Sequence, residues 1–200
     1  CHIVFMCVGN DKDVEQVVRG DNGIMSSIPE NSIIVDHTTA SAKIAVELNK
    51  YCKENKNVSF MDAPVSGGQA GAENGQLTIM IGGDNTTYNT IQPLLNSYAK
   101  NSTLIGNSGS GQLAKMMNQI CIAGLLQGLA EAINFGQKAN LDIEKVIGVI
   151  KDGAASSWQM ENRYKTMVKD EFDFGFAVEW MRKDLKICLE QADEVGARLP

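Results

Sequence analysis

The sequence predicts an α/β half followed by an all-helical half, joined by one long helix, and three observations predict it. Short β-rich runs alternate with helical patterning over residues 1–107. The glycine-rich stretch Gly106-Asn-Ser-Gly-Ser-Gly111 then interrupts the chain. Beyond it, to residue 200, the pattern is helical with almost no strand signal. The boundary is therefore expected near 107–111, with domains at 1–107 and 108–200.

The elements follow in order. Residues 2–8 (HIVFMCV) make a β-rich run that stops at Gly9-Asn10. Asp11 is placed to cap a helix to about residue 19, after which Gly20 and Asp21-Asn22-Gly23 make a turn. Residues 33–36 (IIVD) predict a second buried strand, followed by a helix to about residue 53. Residues 58–62 (VSFMD) predict a third strand, a glycine-rich loop comes next, and 77–81 (LTIMI) predict a fourth. A helix near 86–98 and a short strand at 102–105 close this half, whose later strands are candidates for antiparallel pairing. The long helix is expected over 112–138, apolar on nearly every side, with further helices at 142–151, 157–168 and 177–195.

Composition narrows the function classes. The 200 residues are 44% hydrophobic and 21% charged, the balance of an ordinary globular protein. A net charge of −6 without a basic block argues against a nucleic-acid or polyanion surface. Polar residues interrupt even 120–135, short of the roughly 18 continuous apolar residues that predict a membrane span. Cys1, Cys7, Cys52, Cys121 and Cys188 are odd in number and lack a Cys-x-x-Cys, so neither a disulfide framework nor a metal site is expected. A reducing compartment, the cytoplasm or an organelle matrix such as that of mitochondria or plastids, is the expectation. The chain starts with Cys1, not Met, and its first residues already read as a buried strand, so it reads as a piece of a longer polypeptide.

Several motifs carry chemistry, each beside a plainer reading. In Asp62-Ala-Pro-Val-Ser-Gly-Gly68 and the glycine-rich stretch after it, backbone N–H groups can be bared to cradle a carboxylate or phosphate. A surface turn explains the same glycines. Ser66 lacks the G-x-S-x-G context of a hydrolase nucleophile. Lys115 lies within the apolar long helix, either snorkelling to solvent or lining a polar pocket. Asn118 and Gln119, three and four residues on, share its face. Desolvation in such a pocket would lower the lysine pKa toward the range of a proton donor or acceptor. Lys183-Asp184 is a solvated pair by default, with Trp180 and Met181 hinting at partial burial. His2 and His37 match no metal or triad spacing.

Taken together, these stretches resemble the β-hydroxyacid dehydrogenase family over essentially the whole chain. Val35-Asp36-His37-Thr38-Thr39 is similar to its Asp-x-Ser-Thr segment beside the cofactor. Asp62–Gly68 with Gly71, Gly75 and 77–83 is similar to its substrate-loop signature. Gly109-x-Gly111-x-x-x-Lys115-x-x-Asn118 is similar to the helix carrying its catalytic lysine, and Lys183-Asp184-Leu185 to its Lys-Asp-Leu. The resemblance implies the second part of a Rossmann-type NAD(P)-binding domain, then an all-helical domain incomplete at its end. The glycine fingerprint would lie upstream of Cys1.

The implied reaction interconverts a short β-hydroxyacid and its semialdehyde, with NAD or NADP as cofactor and Lys115 as general acid/base. Ser66, Gly67, Gly68, Asn118 and Gln119 are the implied substrate contacts; Val8, Gly9, Asn10, Thr39 and Lys183 are the implied cofactor contacts. A homodimer or homotetramer is implied, with no membrane or nucleic-acid partner. Gln119 departs from a second Asn common in relatives, and His37 from a smaller residue, which bears on packing near the ribose. The rival readings are a phosphogluconate-type dehydrogenase, a non-catalytic relative, in which the lysine is typically lost, and a binding domain for an anionic metabolite.

Overall fold

A computed structural model describes residues 1–173 and 175–199. The first strand, β1 (Ile3–Met6), leads into α1 (Asp11–Arg19). Asn10, not Asp11, caps this helix: its Oδ1 accepts the N–H groups of Lys12 and Asp13 at 2.9 and 3.3 Å. The reason is backbone geometry, since Asn10 is extended and Asp11 already helical. Asp11 instead accepts the Ser41 backbone N–H and hydroxyl at 2.9 and 2.5 Å. Ser41 caps α3 (Ala42–Lys56), so one carboxylate ties two helix starts together. The turn at Gly23 runs on into a single helical turn, α2 (Ile24–Ser27), which buries Met25.

The strands β2 (Ile33–Asp36) and β3 (Ser59–Asp62) extend β1 in parallel, with Asp36 opposite Asp62 in the register. The stretch expected as a loop contains two elements. Val65 and Ser66 form β4, pairing antiparallel with Ile79 and Thr78 of β5 (Leu77–Gly82). Gly67 and Gly68, at φ 133° and 61°, turn the chain into α4 (Gly68–Glu73). That helix forms because Gln69, Ala70, Ala72 and Glu73 favour it, with a Gln69–Glu73 hydrogen bond of 2.8 Å along its face. β5 runs antiparallel to β3 through Asp62 and Gly82. After α5 (Asn85–Leu95), β6 (Ala99–Gly106) pairs parallel with β5 along its whole length, and so outgrows the short strand predicted.

Successive residues of the central strands are buried in different clusters, which is why those strands read as unbroken apolar runs. Ile34 and Phe60 join Val14 and Val18 of α1 and Leu48 and Cys52 of α3. Val35 and Met61 join Ile79, Ile81 and, from α5, Ile91 and Leu95. Each such side chain contributes about 1.5–3 kcal/mol by leaving water.

The long helix α6 spans Ser110–Lys138, and α7 (Ile143–Ile150), α8 (Trp158–Val168) and α9 (Val178–Val195) follow. An 18-residue window of α6 reaches a mean hydropathy of 1.2, enough by length and composition to cross a membrane, despite the polar interruptions read in the sequence. Its first turns nonetheless bury Gln112 and Lys115. The chain forms two compact units, Cys1–Met117 with Val178–Pro200, and Asn118–Ala177. The second has its own core of Leu129, Ile133, Ile143, Ile147 and Met160.

Candidate active site

The carboxyl end of β3 organises the first unit's polar centre. Asp62 is fully buried, and its carboxylate accepts the N–H groups of Gly109 and Gln112 at 2.8 and 3.0 Å. A residue 47 positions upstream thus caps α6 in place of a local cap, satisfying N–H groups that a helix start leaves open. Burial pushes its pKa up while those N–H groups pull it down. The approach is so close that two glycines are obligatory. A Cβ at Gly82 would lie 2.5 Å from Asp62 Oδ1, and one at Gly111 would lie 2.5 Å from the Met80 carbonyl oxygen.

Gln112, 1% exposed, faces the segment after β2. Its Nε2 donates to the Thr38 carbonyl at 2.7 Å, and its Oε1 accepts the Ala40 N–H at 3.1 Å. Thr38 Oγ1 in turn accepts the Val8 N–H at 2.9 Å. Asp36 accepts the Thr38 N–H at 2.9 Å, and burial raises its pKa to about 6.

One turn beyond Gln112, Lys115 is 7% exposed. Burial lowers its pKa from the usual lysine value; the Asp184 carboxylate works against that shift and the Lys183 ammonium reinforces it. Lys115 is thus buried and does not snorkel to solvent. Lys183 on α9 reaches the ends of both parallel strands. Its Nζ donates to the Gly9 carbonyl at 3.1 Å and to that of Thr39, and lies 3.1 Å from Asp184 Oδ1. The Trp180 ring closes on Gly9, where an added Cβ would lie 3.6 Å from the ring and 2.6 Å from Asp13 Oδ2. The pair expected as surface charge is half-buried at Lys183 and buried at Asp184.

The remaining expected residues are spread out. Ser66 is half-buried, and Gly67 and Gly68 are exposed, on the turn four residues past Asp62. Asn10 spends its side chain on α1, donating also to Asp13 Oδ2 at 2.8 Å. Asn118 and Gln119 fall in the second unit, where Asn118 donates to Gln119 Oε1 at 2.8 Å. His37 is a structural link. Its Nδ1 lies 2.6 Å from the Ala63 carbonyl, an acceptor only, so Nδ1 carries the proton and Nε2 accepts the Tyr98 hydroxyl at 2.8 Å. Its ring stacks on Phe5, and burial lowers its pKa, keeping it neutral. Among the described residues, no cluster of His, Cys, Asp or Glu side chains can hold a metal.

The sequence reading missed Gln112 and the capping role of Asp62. The one available signal for Gln112 was its spacing, three residues before Lys115 on the same helical face.

Residues 1–106 match the NAD-binding domain of 6-phosphogluconate dehydrogenase, and residues 109–200 the NAD-binding region of NADP-dependent 3-hydroxyisobutyrate dehydrogenase. An uncharacterized oxidoreductase of Shewanella frigidimarina is 57% identical over 198 residues, covering 99% of this chain and 68% of that protein. The 2-hydroxy-3-oxopropionate reductase of Escherichia coli is 34% identical over 200 residues, with 99% and 68% covered. The chain belongs to the β-hydroxyacid dehydrogenase family. A solved 3-hydroxyisobutyrate dehydrogenase of Mycobacterium tuberculosis superposes with a TM-score of 0.89 at 25% identity, covering all of this chain and 69% of its own.

As a β-hydroxyacid dehydrogenase chain, the protein is an oxidoreductase whose cofactor is NAD or NADP. Its residues fit such a nucleotide. Gly9, Thr39 and the Lys183 ammonium converge at the carboxyl ends of parallel β1 and β2, the position at which α/β sheets take ligands.

Proposed function

We propose that the intact enzyme interconverts a short β-hydroxyacid and its semialdehyde, with Lys115 as the general acid/base. When bound, a nicotinamide nucleotide would supply or receive the hydride. Lys115 takes the hydroxyl proton during oxidation and returns it during reduction. Ser66, Gly67 and Gly68 hold the substrate carboxylate with a hydroxyl and backbone N–H groups, and Asn118 and Gln119 brace the substrate end of the lysine helix. Val8, Gly9, Asn10, Thr39 and Lys183 contact the nucleotide. The two-domain division at 107/108 is part of this reading, as is a cytoplasmic or organelle-matrix setting. So is assembly into a homodimer or homotetramer, which the exposed apolar Leu125 and Phe135 on α6 favour.

One observation carries the proposal: an amine buried in the first unit, with its pKa lowered by desolvation and acted on by the charges of Asp184 and Lys183. An amine poised this way moves protons nearer neutrality than one in water. The test is turnover of the intact enzyme and its Lys115→Ala variant with NADH and NADPH against glyoxylate and the succinic, methylmalonate and tartronate semialdehydes. Loss of turnover with retained nucleotide binding supports the reading; near-normal kcat in a folded variant ends it. Because residues 1–106 match the NAD-binding domain of 6-phosphogluconate dehydrogenase, 6-phosphogluconate belongs in the panel as the second reading.

A further inference from the structure

We infer that Gln112 is a positioning residue that locks the cofactor-side segment 38–40 to the helix carrying Lys115, and so sets hydride-transfer geometry. The inference rests on the reading of Lys115 and Thr39 given above. Gln112 is a neutral side chain, 1% exposed, and both ends of its amide are used on one stretch of backbone. Two bonds from one planar amide fix orientation as well as distance. Its own N–H is held by Asp62 at 3.0 Å, so the residue cannot follow the segment if the segment moves.

The network extends in both directions. Thr38 carries the Val8 N–H on its hydroxyl, and Thr39 takes the Lys183 ammonium on its carbonyl. The stretches 8–9 and 38–40, which carry the proposed nucleotide contacts Val8, Gly9 and Thr39, are therefore fastened to each other and, through Gln112 alone among these bonds, to α6. Lys115 is one turn further along that helix. Nucleotide and general acid/base are thereby referred to a common frame. Misplacement of reacting groups by about 1 Å costs on the order of 100-fold in rate.

The test uses the intact enzyme with Gln112→Met, close in shape but without hydrogen bonds, and Gln112→Glu, which keeps an acceptor for the Ala40 N–H and loses the donor to Thr38. Three quantities are read: nucleotide affinity by equilibrium fluorescence titration, kcat against substrate KM, and the deuterium isotope effect with 4-deuterated reduced nucleotide. The expected result for Gln112→Met is kcat lower by at least tenfold and a larger isotope effect. Nucleotide binding should weaken several-fold while substrate KM moves less than twofold, a split that lost folding would not produce. If Gln112→Met does not fold, the same pattern in Gln112→Glu carries the inference. Unchanged affinity, kcat and isotope effect in either folded variant would overturn it. Failure of the Lys115 reading shows separately, as an active Lys115→Ala enzyme, whereas the nucleotide titration reports on Gln112 without any turnover.

Discussion

The Nζ of Lys183 lies 3.1 Å from the carbonyl oxygen of Gly9, joining two residues 174 positions apart in the chain. The same ammonium donates to Thr39 and pairs with Asp184. One side chain from α9 thus holds together the loops after β1 and β2.

Replacing Lys183 should loosen that junction. In Lys183→Ala, two backbone carbonyls lose a charged donor, a type of bond that contributes about 1.5–3 kcal/mol. The expected outcome is a KM for the nucleotide raised roughly tenfold or more, with a smaller change in the KM for the hydroxyacid. Steady-state kinetics with each substrate varied in turn make the comparison, and an unaltered nucleotide KM refutes the assignment.

The lowered pKa of Lys115 has a directional consequence for rate. With Lys115 as the proposed general acid/base, oxidation needs the neutral amine, so kcat/KM should climb with pH through a lysine pKa below its usual value. Reduction needs the ammonium, so its rate should decline over the same interval. Both limbs should be missing from the residual activity of Lys115→Ala; a limb that persists there belongs to another group.

Asp36 couples stability to pH. Its folded pKa of about 6 lies above the ordinary 3.8, so the folded state holds this proton more tightly than the unfolded chain does. Its contribution is most favourable below pH 4 and is lost as pH rises through 6. Asp36→Asn keeps an acceptor for the Thr38 N–H without the buried charge. That variant should be more stable than the parent at pH 7 by roughly 1–3 kcal/mol, the advantage shrinking toward pH 4. Denaturant melts at both pH values decide it.

Gly111 should tolerate no side chain. A Cβ there would sit 2.5 Å from the Met80 carbonyl oxygen and 2.7 Å from that of Asp62, both backbone atoms with little freedom to retreat. Gly111→Ala should destabilise the enzyme by about 2 kcal/mol or more and displace the start of α6. Asp62→Ala should cost a similar amount, by leaving the Gly109 and Gln112 N–H groups without their buried acceptor. Thermal melts of the two variants that match the parent would remove the case for the Asp62–α6 clamp.

The local elements were open to sequence reading because local signals specify them. The run IIVD became β2 with the predicted bounds, since three consecutive β-branched apolar residues favour a strand. The tract after residue 111 became helices for the same reason, its apolar spacing matching a helical period. Short-range competition between neighbours was harder to judge. Asn10 took the cap assigned to Asp11, and a presumed loop held β4 and α4 because Val65 and Ser66 found partners in β5.

The sequence by itself determined the α/β-then-helical order of elements and the Lys115 and Lys183-Asp184 motifs that placed the chain in its family. Only the tertiary structure decided that Lys115 is buried, that Asp62 caps a helix 47 residues away, and that Gln112 spends both ends of its amide on residues 38–40. The physical reason is range. Helical and strand periods are written over a few neighbouring residues, whereas desolvation and long-distance hydrogen bonds exist only once the chain has brought remote segments together.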